Sequence, residues 1–103
     1  MPGARLSERS HFMLIVPERE IADLMTRDAA FDAVEKVFAA MAAGDAYNFP
    51  VVREAIGHED ALYGFKGGFD RAGLTLGLKA GGYWPNNLEK RQIINHQSTV
   101  FLF

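Results

Sequence analysis

The feature that most constrains the fold is a change in hydrophobic pattern at Gly44. Before Gly44, apolar residues recur at steps of three and four, which is the spacing of one face of a helix. After it, short apolar and aromatic segments alternate with turn-forming residues, which is typical of strands. Helices followed by a run of strands predict an α+β domain with a mainly antiparallel sheet.

The first segment of this pattern predicts a strand and a short helix. Residues 14–16 form an apolar, β-branched run that ends at Pro17, which suits a buried strand. Pro17 is favourable as a first helical residue, so a helix is predicted over about 18–25. Its buried side chains are expected to be Ile21, Leu24 and Met25.

A longer helix is predicted over about 27–43. Thr26 or Asp28 can cap its amino end, because both side chains accept hydrogen bonds from free backbone N–H groups. Gly44 is a good terminator. The predicted buried stripe consists of Phe31, Val34, Val37, Phe38 and Met41.

Four strand-like segments follow Gly44, at residues 49–56, 61–69, 74–83 and 98–103. Asp70-Arg71-Ala72-Gly73 is expected to be the hairpin turn between the second and third segments. Residues 85–87 break the chain after Tyr83. The predicted order is therefore one strand, two helices and four further strands.

Composition excludes several classes of function. With 11 Lys and Arg against 13 Asp and Glu, the net charge of −2 predicts no binding to nucleic acid or to an anionic membrane. The chain has no cysteine, which removes disulfides and thiolate chemistry and favours a cytoplasmic protein. Its three histidines, His11, His58 and His96, lie far apart in the sequence, so no metal site is expected.

Both ends of the chain carry a prediction about domain organisation. Residues 1–12 are expected to be a disordered extension, with Met13 as the natural start, and residues 13–103 to form one domain. The last five residues are an apolar strand, whereas natural termini are usually polar. This pattern favours a chain cut before a further domain, and the alternative is a carboxyl-terminal strand tied into the sheet.

Three cations stand within apolar, strand-like segments. They are Arg53, Lys66 and Lys79, each beside glycine or aromatic residues. Each of them alone is expected to face water. Together, on neighbouring strands, they could instead converge in a cleft for a small anion, which Gly81 and Gly82 would allow to approach the backbone.

Short segments across residues 13–103 resemble the ornithine cyclodeaminase/mu-crystallin family. They are LIVPEREIADLM, PVVREA, GLKAGGYWPNN and NHQSTVFLF, in that order. In that family an amino-terminal α+β domain forms the dimer interface and contacts the substrate, and a following Rossmann domain binds NAD or NADP. The glycines here do not form the G-x-G-x-x-G fingerprint of such a domain. The resemblance therefore implies the substrate-binding domain of a homodimer, truncated before the nucleotide-binding domain, with no cofactor bound by this chain alone.

The resemblance also implies roles for individual residues. Lys79 matches the strand lysine that contacts the substrate carboxylate and the reacting centre, so it is the catalytic candidate. Arg53 matches an arginine that grips the same carboxylate. His96 and Gln97 match an HQ turn with a structural or site-lining role, and Gln97 is predicted to contact substrate. At Lys66 the chain departs from the ornithine-cyclising members, which carry an acid in this segment.

Lys66 moves the predicted substrate from ornithine to a dicarboxylate, because a cation suits a second carboxylate. The segments around it are most similar to the iminosuccinate reductases of that family, which reduce iminosuccinate to aspartate. The prediction is thus the substrate-binding domain of an NAD(P)-dependent imine reductase, inactive as an isolated chain. Two alternatives stay open: a catalytically silent fragment or dimerising binding module, and ornithine as substrate, cyclised to proline.

Overall fold

A computed structural model describes residues 13–103 of the chain. The described residues divide into two compact units, one that ends at Ala33 and one over Val34–Phe103. The predicted disorder of residues 1–12 lies outside the described residues and stays a prediction. Among residues 13–103, no helix is long and apolar enough to cross a membrane.

The first unit contains helix α1, Glu18–Leu24, and the beginning of helix α2, Arg27–Ala42. The backbone N–H of Ala29 donates to Thr26 Oγ1 at 3.1 Å, so Thr26 caps α2. Both predicted helices are therefore confirmed, to within one residue at their ends. Of the two candidate caps, Thr26 is the one that the structure uses.

The predicted strand at residues 14–16 is wrong. Those residues are not in a strand, and Leu14 and Ile15 are 89% and 77% exposed. A strand needs a neighbour to satisfy its backbone hydrogen bonds, and within residues 13–103 no other strand pairs with this segment. An apolar run indicates a tendency to pair, whereas the partner is a matter of tertiary structure.

The predicted burial of the helices is also wrong for this chain, since neither α1 nor α2 has a buried residue. The side chains of Ile21 and Leu24 in α1 are exposed, as is that of Met25 directly after it. In α2 Phe31 is 67% and Phe38 is 64% exposed. Helical periodicity predicts an apolar face that packs against other residues, but the described residues leave this face of α2 largely exposed. The other members of the expected α2 stripe, Val34, Val37 and Met41, are exposed or half-buried.

Helix α2 ends as the sequence predicts. Gly44 takes a left-handed conformation with φ of +80°. Its N–H donates to the carbonyl of Met41 at 3.1 Å, and the N–H of Asp45 donates to the carbonyl of Ala40 at 2.8 Å. These two bonds form a Schellman motif, which satisfies carbonyl groups at the helix end and suits glycine at the left-handed position.

The second unit contains an antiparallel sheet of five strands. Its strands are β1, Ala46–Asn48; β2, Val52–Ala55; β3, Leu62–Asp70; β4, Thr75–Tyr83; and β5, His96–Leu102. A one-turn-and-a-half helix, α3, Asn87–Arg91, precedes β5. The strand order is β1-β3-β4-β5, and β2 pairs with the same edge of β3 as β1 does. The α+β class with a mainly antiparallel sheet is thus confirmed.

One predicted strand, residues 49–56, is shorter than expected, and β1 precedes it. The break between β1 and β2 includes Pro50, which has no N–H to donate to a neighbouring strand. The hairpin between β3 and β4 turns at residues 71–74, one residue later than predicted. Asp70 Oδ1 accepts from the N–H of Ala72 at 3.1 Å and so stabilises this turn.

The sheet has two chemically different faces, because side chains alternate along a strand. The face that carries Lys66 and Lys79 is called the lysine face. The opposite face is called the aromatic face and carries Tyr47, Tyr63, Phe65, Phe69 and Phe101. Among the described residues only Ala46 and Ala61 are buried apolar side chains, so both faces are largely open in this chain.

Candidate functional site

Strand register brings the three predicted cations to the lysine face. Lys66 of β3 lies directly opposite Lys79 of β4. Arg53 of β2 lies opposite Gly64 of β3, which in turn lies opposite Gly81 of β4. Because directly paired residues project to the same side of a sheet, all three cations share one face. This is the convergence that the sequence left open.

The cations line a hollow of about 250 Å³ in the second unit, whose floor includes two glycines. A Cβ atom at Gly64 would lie 2.7 Å from the carbonyl oxygen of Val52, and one at Gly81 would overlap the carbonyl oxygen of Gln97. Side chains at these positions would therefore disturb the backbone beside the hollow. Because Gly64 and Gly81 have no side chains, the space between the three cations stays open. We call this hollow the cationic pocket.

Within residues 13–103, no carboxylate forms an ion pair or hydrogen bond with Arg53, Lys66 or Lys79. Glu54 is adjacent to Arg53 in sequence, but it projects to the aromatic face because side chains alternate. Like charges directly opposite each other destabilise a sheet. An anion bound between them would relieve that repulsion and accept charge-assisted hydrogen bonds.

Strand β5 supplies a wall of the cationic pocket. His96 lies opposite Tyr83, and Ser98 lies opposite Gly81, so both project from the lysine face. Both residues line the pocket. The imidazole of His96 packs on the ring of Tyr83, with centroids 4.6 Å apart and planes tilted by 48°. The site-lining role that the resemblance implied for His96 thus has a definite location.

The structure does not bring Gln97 into the cationic pocket. Gln97 lies opposite Gly82 and projects to the aromatic face. Its Nε2 donates to the carbonyl oxygen of Ile94 at 2.9 Å, which fixes the entry into β5. Its neighbours His96 and Ser98 occupy the pocket wall instead, because adjacent residues of a strand face opposite ways. A substrate contact from Gln97 stays a prediction that this geometry does not support.

Both glycines expected to admit a ligand line the pocket, but only Gly81 belongs to the lysine face. Gly82 belongs to the opposite face. A Cβ atom there would lie 2.7 Å from Cη2 of Trp84, so Gly82 makes room for the indole ring. Its small size serves packing, whereas that of Gly81 serves the floor of the pocket.

A second group of cations has its own carboxylate. Lys90 Nζ lies 3.4 Å and Arg91 Nη2 lies 3.2 Å from the two carboxylate oxygens of Glu59, and His58 Nε2 lies 3.9 Å away. The hydrogen bond from Arg91, with a second from Lys90, outweighs desolvation and holds the pKa of Glu59 below its usual value. We call this group the Glu59 cluster; it links the loop before β3 to α3.

The described residues contain no group of three His, Cys, Asp or Glu side chains that could hold a metal ion. The side chains that line the cationic pocket include several hydrogen-bond donors. Two ammonium groups, a guanidinium, an imidazole and a hydroxyl can all donate hydrogen bonds. Such a set of donors is suited to binding and orienting an anion.

Comparison with known proteins gives a match to an enzyme. No protein-family model matches the chain. The chain is 76% identical over 91 residues to the iminosuccinate reductase of Paracoccus denitrificans (strain Pd 1222). It is a close homologue of that enzyme. The match covers 88% of this chain and 28% of the enzyme, so the chain spans less than a third of its relative's length.

The fold agrees with this homology. The crystal structure of the Paracoccus iminosuccinate reductase in complex with NAD⁺ superposes with a TM-score of 0.84, at 76% identity over 88% of this chain and 28% of that one. Identity at this level, together with the TM-score, means that the two chains share the same arrangement of strands over the matched region. The relative's name and bound cofactor describe that protein.

Sequence reasoning missed several residues of the pocket. Leu62, Tyr83 and Ser98 line it beside the cations. The signal that identifies them is the two-residue alternation on β3, β4 and β5, combined with the strand register. The alternation is visible in the sequence, whereas the register depends on which residues pair across the turns.

Proposed function

We propose that this chain is the substrate-binding part of an NAD-dependent imine reductase of the ornithine cyclodeaminase/mu-crystallin family, acting on a small dicarboxylate. The reaction that best fits is the reduction of iminosuccinate to aspartate. The observation that carries the proposal is the convergence of Arg53, Lys66 and Lys79 in one pocket without a carboxylate. The homology to an iminosuccinate reductase supports the same substrate class.

The proposed roles follow the positions of the cations. Arg53 and Lys79 hold the carboxylate next to the reacting carbon, and Lys66 holds the distal one. Directly opposite residues have Cβ atoms about 5 Å apart, so Lys66 and Lys79 can bracket a short diacid. Lys79 also has the proposed role of polarising the C=N bond or assisting proton transfer.

The nicotinamide cofactor supplies the hydride in such a reaction and is held by residues beyond this chain. The described sheet is antiparallel throughout, and none of its loops carries the glycine-rich fingerprint between a strand and a helix. No residue of this chain is therefore assigned to the dinucleotide. The part of this chain is to hold the substrate by its carboxylates and so present the C=N carbon in one orientation.

Ornithine fits the cationic pocket less well than a dicarboxylate does. Its side-chain ammonium group would need an acid, and the described residues place none among the pocket-lining side chains. Lys66 would instead meet it with a like charge. This electrostatic mismatch is the physical reason to prefer a dianionic substrate.

Isothermal titration of the 103-residue chain with succinate tests the proposal. Succinate has two carboxylates and, unlike iminosuccinate, no hydrolysable C=N bond. Lys66→Glu is expected to weaken binding about 100-fold, because it removes one charge partner and adds a repulsive one. Lys36→Glu makes the same change in charge on α2 and should leave binding intact. Equal affinity of the wild type and Lys66→Glu would contradict the proposed role.

We also propose that the chain forms a homodimer through the aromatic face of its sheet. Tyr63, Phe65 and Phe101 on that face are 38%, 40% and 39% exposed, and exposed apolar surface of this kind favours association. A second copy of the chain is the proposed partner, and a symmetric contact of one patch with itself is the commonest arrangement. Light scattering should give twice the chain mass, shifting to one mass in Phe65→Glu; a monomeric wild type contradicts the proposal.

A further inference from the structure

His96 is held at the pocket in a way that leaves its polar atoms free. Its ring is positioned by packing on Tyr83, with centroids 4.6 Å apart, and this contact uses neither ring nitrogen. Within residues 13–103, no hydrogen bond or ion pair involves the imidazole. His96 is exposed and makes no hydrogen bond within the described residues, so a ring N–H can donate to a ligand.

The position of His96 along the sheet places a ligand within its reach. Gly81 lies in the floor of the cationic pocket. His96 pairs with Tyr83, two residues beyond Gly81, and Lys79 lies two residues before it on the same strand. A molecule resting over Gly81 therefore lies between the imidazole on one side and the ammonium group on the other.

The charges that face His96 from neighbouring elements are cationic or already paired. β2, β3 and β4 contribute Arg53, Lys66 and Lys79 to the same pocket, and β4 also contributes the phenol of Tyr83. Among the charged side chains of α3, Lys90 and Arg91 pair with Glu59, and Glu89 forms no ion pair with any described residue. No Asp or Glu is among the described residues that line the pocket. An imidazolium at His96 would therefore need a bound anion as its partner.

We propose that His96 is a further substrate-binding residue, whose imidazolium binds a carboxylate oxygen of the dicarboxylate and makes binding proton-linked. This inference rests on the proposed function, since it requires a dicarboxylate in the pocket. An anion beside an imidazole favours its protonated form. The protonated ring binds an anion more tightly than the neutral ring does, so affinity for the dicarboxylate rises as pH falls.

Titration with succinate between pH 8.5 and 6.5 tests this linkage, since carboxylates of this kind stay largely ionised there. Affinity of the wild-type chain is expected to rise about tenfold as pH falls over this range. Repeating the titration in buffers of different ionisation enthalpy measures the proton taken up. The imidazole resonance of His96 reports its titration directly, with and without succinate.

Three variants separate the charge of His96 from its place in the fold. His96→Gln keeps a hydrogen-bond donor and should bind succinate with an affinity that no longer changes with pH. His96→Lys carries a permanent charge and should bind at least as tightly at pH 8.5 as at 6.5. His58→Gln changes an exposed histidine outside the pocket and should keep the wild-type pH dependence.

The outcomes distinguish this inference from the proposed function. Succinate binding without proton uptake, or with the same pH dependence in His96→Gln, overturns the role of His96 and leaves the proposed function standing. A wild-type chain that is folded by circular dichroism and binds no succinate at any pH overturns both. Proton uptake that disappears in His96→Gln and is absent in His96→Lys supports the inference.

Discussion

Two groups of cations in this chain differ in one respect, the presence of an internal acid. In the Glu59 cluster, Lys90 and Arg91 lie within 3.4 Å of the carboxylate oxygens of Glu59. In the cationic pocket, Arg53 and the Lys66–Lys79 pair have no carboxylate partner among residues 13–103. The first group joins two segments of the chain, and the second faces a glycine floor.

The difference distinguishes a structural use of charge from a binding use. An internal carboxylate satisfies cations and gives them a fixed conformation, although exposed pairs of this kind contribute little stability. Two cations that lie opposite each other, with no acid between them, lower the stability of the unliganded chain. Such a cost is expected where an external anion completes the site. Three changes test this difference between the cationic pocket and the Glu59 cluster: adding an acid to the pocket, removing one of its cations, and removing Glu59.

Ser98→Asp gives the pocket its own carboxylate and should have the largest effect. Ser98 lies opposite Gly81 on the lysine face, diagonal to Lys79, so an aspartate there lies beside the floor. Succinate binding measured by calorimetry is expected to weaken about 100-fold, through competition for the cations and repulsion of the ligand. Thr99→Asp, on the opposite face, is the matched control. Unchanged affinity in Ser98→Asp would show that succinate binds elsewhere.

The one-residue difference between that variant and its control shows where sequence reasoning stops. Lys66 and Lys79 stand out in the sequence because cations are unusual in apolar strands. Whether Gln97 or Ser98 shares their face depends on strand register, and a shift of one residue reverses every side chain. Family resemblance pointed to His96 and Gln97 together and assigned the substrate contact to Gln97, whereas the geometry places His96 and Ser98 in the pocket.

The same limit applies to the fold: features set by nearby residues were predictable, and features set by distant residues were not. The ends of α2 were predictable, since Thr26 and Gly44 act on backbone groups within a few residues of themselves. The hairpin at residues 71–74 was predictable to within one residue for the same reason. The strand predicted at 14–16 and the buried stripe of α2 depend on partners distant in sequence or outside the chain, and no local pattern identifies those.

Removing a cation from the pocket should increase stability while it decreases binding. Lys66→Gln eliminates the repulsion between Lys66 and Lys79, so the free energy of unfolding should rise by about 0.5 kcal/mol. Succinate affinity should fall about tenfold in the same variant, since one charged partner is lost. Urea denaturation and calorimetry measure the two effects. Lys90→Gln in the Glu59 cluster is the control and should not stabilise the chain; stabilisation of both variants alike would contradict the comparison.

Removing the acid of the second cluster should have the smallest effect, and its sign depends on pH. The pKa of Glu59 in the folded chain lies below its ordinary value of 4.5, chiefly because Arg91 donates a hydrogen bond to the carboxylate. A carboxyl group with a depressed folded pKa adds stability above its unfolded pKa and loses that contribution as pH falls through the folded value. Glu59→Gln should therefore have a slightly lower Tm than the wild type at pH 7.

The difference in Tm should shrink as pH falls below about 4.5, and it should vanish once the wild-type carboxyl is protonated in the folded chain. Thermal unfolding at pH 7, 5 and 3 measures it. Glu54→Gln is the control, because Glu54 has no ion-pair partner among residues 13–103. A Tm difference that stays constant from pH 7 to 3 would mean that Glu59 acts through packing. The Glu59 cluster would then no longer exemplify cations satisfied by an internal charge, and its contrast with the cationic pocket would rest on geometry alone.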